Sequence, residues 1–210
     1  MADVPILHRD EHLLVVDKPA GVLVVAAPGR TGATLLDLLS RQEGGRPHAV
    51  HRLDEGTTGA MVVATTEAGR DAMVELFRCH SVQRDYLALV VGRPSPPAGR
   101  IDSRLQDDGV VRIVAHGGQT AITNYETLAR RGRLTLVRCR LETGRRNQIR
   151  VHMQALGCPI AGDRKYGYRS RSGEAFARPM LHSWRLGFDH PLLPLRVDVE
   201  AAPPEPDLKP

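Results

Sequence analysis

Apolar and polar positions follow two periods along this chain, and the change of period separates strands from a few short helices. His12 to Val16 and Val22 to Val25 are β-branched apolar runs around Lys18-Pro19-Ala20-Gly21, which predicts two strands joined by a sharp bend. Thr34 to Arg41 has apolar residues at 35, 36, 38 and 39, a helical spacing that ends at Gly44-Gly45. Ala60 to Ala64 is a short continuous apolar run, the pattern of a buried strand. Thr66 is then placed to cap a helix with the face Ala68, Ala72, Met73, Leu76, Phe77 and His80, although Gly69 weakens it.

Tyr86 to Val91 predicts another strand, followed by a proline-rich connection from Gly92 to Gly99. Ile101 to Leu105 and Val110 to Val114 flank Asp108-Gly109, a hairpin signal. Gln119 to Leu128 and Leu134 to Leu141 alternate as strands do. After Gly144 the period lengthens, and Ile149, His152, Met153 and Leu156 form one stripe of a short helix stopped by Gly157 and Pro159. Leu181 to Phe188 and Leu195 to Val199 predict closing strands, and residues 201–210 predict a disordered tail. Many strands, few helices and no βαβ rhythm predict an α+β fold. The expectation is a single catalytic domain over residues 1–200, built on a largely antiparallel mixed β-sheet flanked by a few helices.

Composition changes this picture little. At 210 residues the chain is long enough to bury a core without staples. Cys79, Cys139 and Cys158 are isolated, which argues against a disulfide framework or zinc ribbon and fits a reducing cytoplasm. No run resembles a signal peptide or a membrane span, so no membrane partner is expected. Charge says more. The net charge is +5, yet residues 130–152 hold eight arginines against Glu142, a local +7 that leaves −2 for the rest. A polyanion is the expected partner, with a solvated basic face as the plainer reading.

The chemistry concentrates in His51-Arg52-Leu53-Asp54-Glu55-Gly56-Thr57-Thr58-Gly59, a turn-rich loop that leads into the Ala60 strand. Polar side chains on loops between rigid elements are where reactions tend to sit. Alone, Asp54 reads first as a turn-capping residue. The histidines show no tight ligand spacing, so no metal is expected, and His51 reads as a structural hydrogen-bonding residue rather than a general base.

His51-Arg52-Leu53-Asp54 with Thr57-Thr58-Gly59 resembles the signature of the RluA family of pseudouridine synthases. Glu11 to Gly21 resembles that family's opening strand, and Arg84-Asp85-Tyr86-Leu87-Ala88-Leu89-Val90 its tyrosine motif. Thr143 to His152 with Gly157 to Asp163 resembles its arginine motif, and Leu181 to Pro191 its closing segment. The motifs keep family order from about residue 8 to 200.

The resemblance implies a pseudouridine synthase fold and isomerisation of uridine in structured RNA, rRNA or tRNA, without cofactor or metal. It implies Asp54 as the carboxylate acting at C1′, Arg150 as its guanidinium partner and Tyr86 as the ring stacked on the uracil. Arg52 would fill the space of the flipped base, with Arg84, Arg145, Arg146, Gln148 and Ile149 as further RNA or substrate contacts. The enzyme is expected to be a cytoplasmic monomer with no obligatory protein partner. Three positions depart from the family pattern: Asn147 replaces the usual His, Thr58 the usual Ser and Arg84 the usual Lys. They bear on substrate choice rather than on Asp54, Tyr86 or Arg150. The alternatives are a non-catalytic RNA-binding or chaperone protein on the same fold, and a hydrolase using His51 with Asp54.

Overall fold

The structure is a computed structural model and describes residues 3–171 and 175–210, so Met1, Ala2 and residues 172–174 of the expected domain lie outside it. In chain order the elements are β1 (Ile6–Arg9), β2 (Leu13–Lys18), α1 (Leu35–Glu43), β3 (His48–Ala49), β4 (Thr58–Ala64) and α2 (Glu67–Arg78). There follow β5 (Gln83–Val91), β6 (Ala98–Asp107), β7 (Val111–Val114), β8 (Gln119–Arg131) and β9 (Leu134–Leu141). The chain ends with α3 (Gln148–Ala155), β10 (Leu181–Asp189) and β11 (Arg196–Glu200). This is an α+β fold. Its described residues fall into two compact units, Met1–Gln83 with Ser183–Ala202, and Arg84–His182 with Pro203–Pro210.

In the first unit β2 lies between β1 and β4 and is antiparallel to both, with Val15 opposite Val62. β4 neighbours β10, which carries β11 antiparallel on its other side. Leu13, Val15, Ala60, Val62 and Ala64 pack with Met73 of α2 and with Leu186, Phe188 and Val197. The alternate residues Leu14, Val16, Met61 and Val63 are buried too, which explains why these strands read as continuous apolar runs. Burying each such side chain contributes about 1.5–3 kcal/mol before the entropy of ordering is counted.

The Thr66 cap matches the sequence expectation, and α1 is capped as well. Thr34 and Asp37 form a capping box on α1, and the Thr66 hydroxyl accepts from Gly69 N on α2. Gly69 also has a positive role: a Cβ there would stand 2.7 Å from the His12 carbonyl oxygen, so glycine lets α2 approach the start of β2. The expected Val22–Val25 strand is absent. The Leu23 and Val24 carbonyls instead accept from Leu35 N and Leu36 N, answering the open amides at the start of α1. The second strand beside β2 is β1, which periodicity did not reveal.

In the second unit the strand order is β5-β9-β8-β6-β7, and each of these pairings is antiparallel. Gly109 takes φ 102 in the β6–β7 turn, as the Asp-Gly signal requires. α3 rests on this sheet through Val151, which packs with Leu105, Val111, Ala121 and Tyr166. His152, also on α3, is fully buried and bonds Ser103 and Thr123 with its two ring nitrogens, each at 2.9 Å. The terminal segment, residues 201–210, makes contacts of its own. Leu208 is fully buried in a short 3-10 turn, Glu205 pairs with Arg178, and the Lys209 carbonyl accepts from Arg131.

Candidate active site

The predicted residues divide between the units: Arg52 and Asp54 belong to the first, and Arg84, Tyr86, Arg145, Arg146, Gln148, Ile149 and Arg150 to the second. In the first unit Asp54 is half-buried and opens a turn in which Thr57 N donates to the Asp54 carbonyl at 3.0 Å. Leu53 points inward and Arg52 outward. Gly59 takes φ 108, a backbone state that lets the loop enter β4.

Beneath this loop lies Lys18, the last residue of β2 and wholly buried. Its ammonium donates to the carbonyls of Pro19 at 2.8 Å, Glu55 at 3.2 Å and Thr57 at 3.0 Å. A buried ammonium must have its donors answered, and here the answer ties the turn after Asp54 to the end of β2. Gly21 N adds a bond to the Glu55 carbonyl, and the Glu55 side chain pairs with Arg30. Lys18 escaped the sequence reading, although a lysine ending an otherwise apolar strand is a signal. His51 stacks on Phe77 with ring centroids 4.5 Å apart, and its Nε2 accepts from Val62 N at 3.1 Å. That lone pair is committed to the β4 backbone, so the ring is structural and the His51 hydrolase reading loses its base.

In the second unit Arg84 and Tyr86 share one face of β5, and both are buried. Asp85 points to the other face, where Arg140 of β9 donates to its two oxygens at 2.8 and 3.2 Å. Arg84 is therefore no exposed RNA contact. Its Nη2 donates to the Glu142 carbonyl, and any side chain at Gly144 would collide with its guanidinium. Burial pushes Arg84 below the usual arginine range, against an opposing effect from Tyr86.

Gln148 also departs from its expected role. It is buried, and its amide oxygen accepts from Thr143 Oγ1 at 2.8 Å and Arg145 N at 3.0 Å. Its nitrogen donates to the Ile122 carbonyl and to Thr123 Oγ1. Gln148 thus pins the start of α3 to β8. Ile149 is buried. Arg145 and Arg146 line a cleft of about 380 Å³ with Leu105, Val111 and Gly118, and Arg146 pairs with Asp107.

Arg150 has the most elaborate setting. Asp163 is 1% exposed, and its two oxygens accept from Arg150 Nε at 2.7 Å and Nη2 at 2.8 Å. Nη1 donates to Asn147 Oδ1 at 2.9 Å, and the guanidinium carbon lies 4.9 Å from the Tyr166 ring centroid. Asn147 Nδ2 donates to the Tyr166 hydroxyl at 3.0 Å, which closes the ring of contacts. These bonds employ three of the five guanidinium donors. Asp163 and Tyr166 were missed as site residues because they act thirteen and sixteen positions away. The basic segment is also not a bare positive face. Arg138, Arg140, Arg146 and Arg150 pair with Glu126, Asp85, Asp107 and Asp163 from outside it.

Among the described residues no helix is long and apolar enough to cross a membrane. The family model for RNA pseudouridylate synthase matches residues 12–155. The ribosomal large subunit pseudouridine synthase D of Zymomonas mobilis is 39% identical over 97% of this chain and 71% of its own length. The enzyme of the same name from Pseudomonas aeruginosa is 38% identical, over 97% of this chain and 69% of its own. Among solved structures, human RNA pseudouridylate synthase domain containing 1 superposes with a TM-score of 0.81. It is 27% identical, and the match covers 99% of this chain and 86% of that one.

Proposed function

Because the chain belongs to the RNA pseudouridylate synthase family and isomerises uridine in RNA, we propose that Asp54, Tyr86 and Arg150 carry that reaction on large-subunit ribosomal RNA. The name of the relatives at 38 and 39% identity supports the ribosomal substrate. A ribosomal substrate places the work in the cytoplasm. The reaction breaks the bond between uracil N1 and ribose C1′, turns the base and rejoins it through C5. N1 ends with a proton and C5 gives one up, so the balance needs no oxidant or energy source.

In this reading Asp54 acts at C1′, and the role of Arg150 is to keep that carboxylate charged and oriented. Tyr86 stacks on the uracil, a contact worth roughly 1–3 kcal/mol. Arg52, exposed on the Asp54 loop, fills the space of the extruded base and offsets a flipping cost of a few kcal/mol. Arg145 and Arg146 contact the RNA backbone at their cleft. The observation that carries the residue assignment is that the loop of Asp54 and the guanidinium of Arg150 are each immobilised by a buried charged partner, Lys18 and Asp163. Preorganisation of this kind is what an electrostatic site requires.

The test is tritium release from [5-³H]uridine-labelled RNA taken from a strain lacking the protein, with ribosomal and transfer RNA separated. Release from the large-subunit ribosomal fraction is expected. Release confined to transfer RNA would overturn the substrate assignment.

A further inference from the structure

The isomerisation makes Asp54 change its charge. If its oxygen attacks C1′, the N1–C1′ electron pair leaves with the uracil and Asp54 becomes a neutral ester. If it removes a proton from the ribose, it becomes a neutral acid. The pair or the proton returns when the C5–C1′ bond is made. An Arg150 balanced by Asp54 alone would stand uncompensated in mid-reaction, at a position where its side chain is only 12% exposed. A cation stripped of its partner in such surroundings is strongly destabilised.

The contacts of Arg150 answer this demand unequally. Asn147 Oδ1 and the Tyr166 ring orient the guanidinium but carry no charge. Asp163 brings a full carboxylate, two short parallel bonds and near-complete burial. It is itself held in place, accepting from Tyr166 N at the start of a 3-10 turn. We propose that Asp163 is a positioning residue, the standing counter-charge that keeps Arg150 in place while Asp54 loses and regains its negative charge. This rests on the assignment of Asp54 and Arg150 made above.

The experiment is a set of thermal melts on the full chain, with single-turnover kinetics alongside. In the wild-type background Asp54→Ala is expected to lower Tm by less than about 3 °C, and in the Asp163→Asn background by about 8 °C or more. Asp163→Asn is expected to reduce kcat by roughly 30-fold or more while the KM for RNA stays within about twofold. Arg150→Gln leaves Asp163 a buried carboxylate without its guanidinium, so Arg150→Gln/Asp163→Asn is expected to melt higher than Arg150→Gln. If it melts no higher, the charge relation is absent and the proposal fails.

Equal shifts for Asp54→Ala in both backgrounds also overturn the proposal when Asp54→Asn is inactive. Equal shifts with an active Asp54→Asn mean that the assignment of Asp54 itself has failed. If Asp163→Asn does not fold alone, the double variant with Arg150→Gln decides. A folded double variant shows that the unanswered guanidinium was the fault, and an unfolded one reduces Asp163 to scaffolding.

Discussion

In the first unit the ammonium of Lys18 holds the loop of Asp54 by two main-chain carbonyls, those of Glu55 and Thr57. In the second, the carboxylate of Asp163 and the amide of Asn147 hold Arg150 by its own side chain. The first arrangement fixes where the loop runs and is indifferent to the side chains on the turn, because every residue offers the same carbonyl. The second fixes one functional group and depends on the identity of each partner. The loop is thus anchored through its backbone, while the guanidinium is caged through its side chain.

The largest expected effect is at Lys18. Lys18→Met takes the ammonium away from the Pro19, Glu55 and Thr57 carbonyls, of which Glu55 keeps its bond from Gly21 N, and is expected to destabilise by about 3 kcal/mol in urea denaturation. Isomerisation should fall with it, and Lys18→Arg should not restore it, because a planar fork does not reproduce a point donor. A mild effect of Lys18→Met would remove the distinction between the two anchors.

Acid is expected to act on the second unit. His152 is on the buried face of α3, and burial pushes its pKa down to about 4, with Asp102 opposing. The unfolded chain takes up this proton as pH falls through 6.5, and the folded protein does so only near 4. Stability is therefore lost between pH 6.5 and about 4, by roughly 3 kcal/mol, and levels off below. Urea melts across that range should show the slope, and His152→Asn should remove it. A slope that persists in the variant would place its source elsewhere.

Smaller effects separate the parts of the Arg150 cage from the Asp54 loop. Tyr166→Phe keeps the ring beneath the guanidinium and removes only the hydroxyl that Asn147 uses, so a loss of about 1 kcal/mol is expected. Glu55→Gln removes the exposed pair with Arg30 but keeps the carbonyl that Lys18 holds. It should change stability by less than about 0.5 kcal/mol and leave turnover near wild type, as thermal melts and tritium release would register.

The sequence showed the elements whose cause is local. Thr66 caps a helix, Asp108-Gly109 turns a hairpin, and Gly157 ends α3, because each acts within a few residues. Val22–Val25 misled because its carbonyls serve α1 rather than a sheet. The ordered motifs also brought out the family, whose model matches residues 12–155. Two of the expected RNA contacts lie in the interior for a common reason. Arg84 and Gln148 are polar residues of the expected motifs, but Arg84 fills the space beside Gly144 and Gln148 answers four hydrogen-bond partners. Whether a polar side chain faces solvent or the interior is set by tertiary packing, which no spacing encodes. For the same reason eight arginines in a row of 23 residues gave an exaggerated impression of a positive surface, since their acidic partners lie elsewhere in the chain.

The most direct measurement is single-turnover isomerisation by Asp54→Asn, with RNA affinity determined on the same preparation. The substitution is nearly isosteric and leaves the Lys18 anchor and the Arg150 cage untouched. The account predicts RNA binding within a few-fold of wild type and no tritium release above background. Release at a rate near wild type would mean that the half-buried carboxylate on this loop is not the one that acts on uridine.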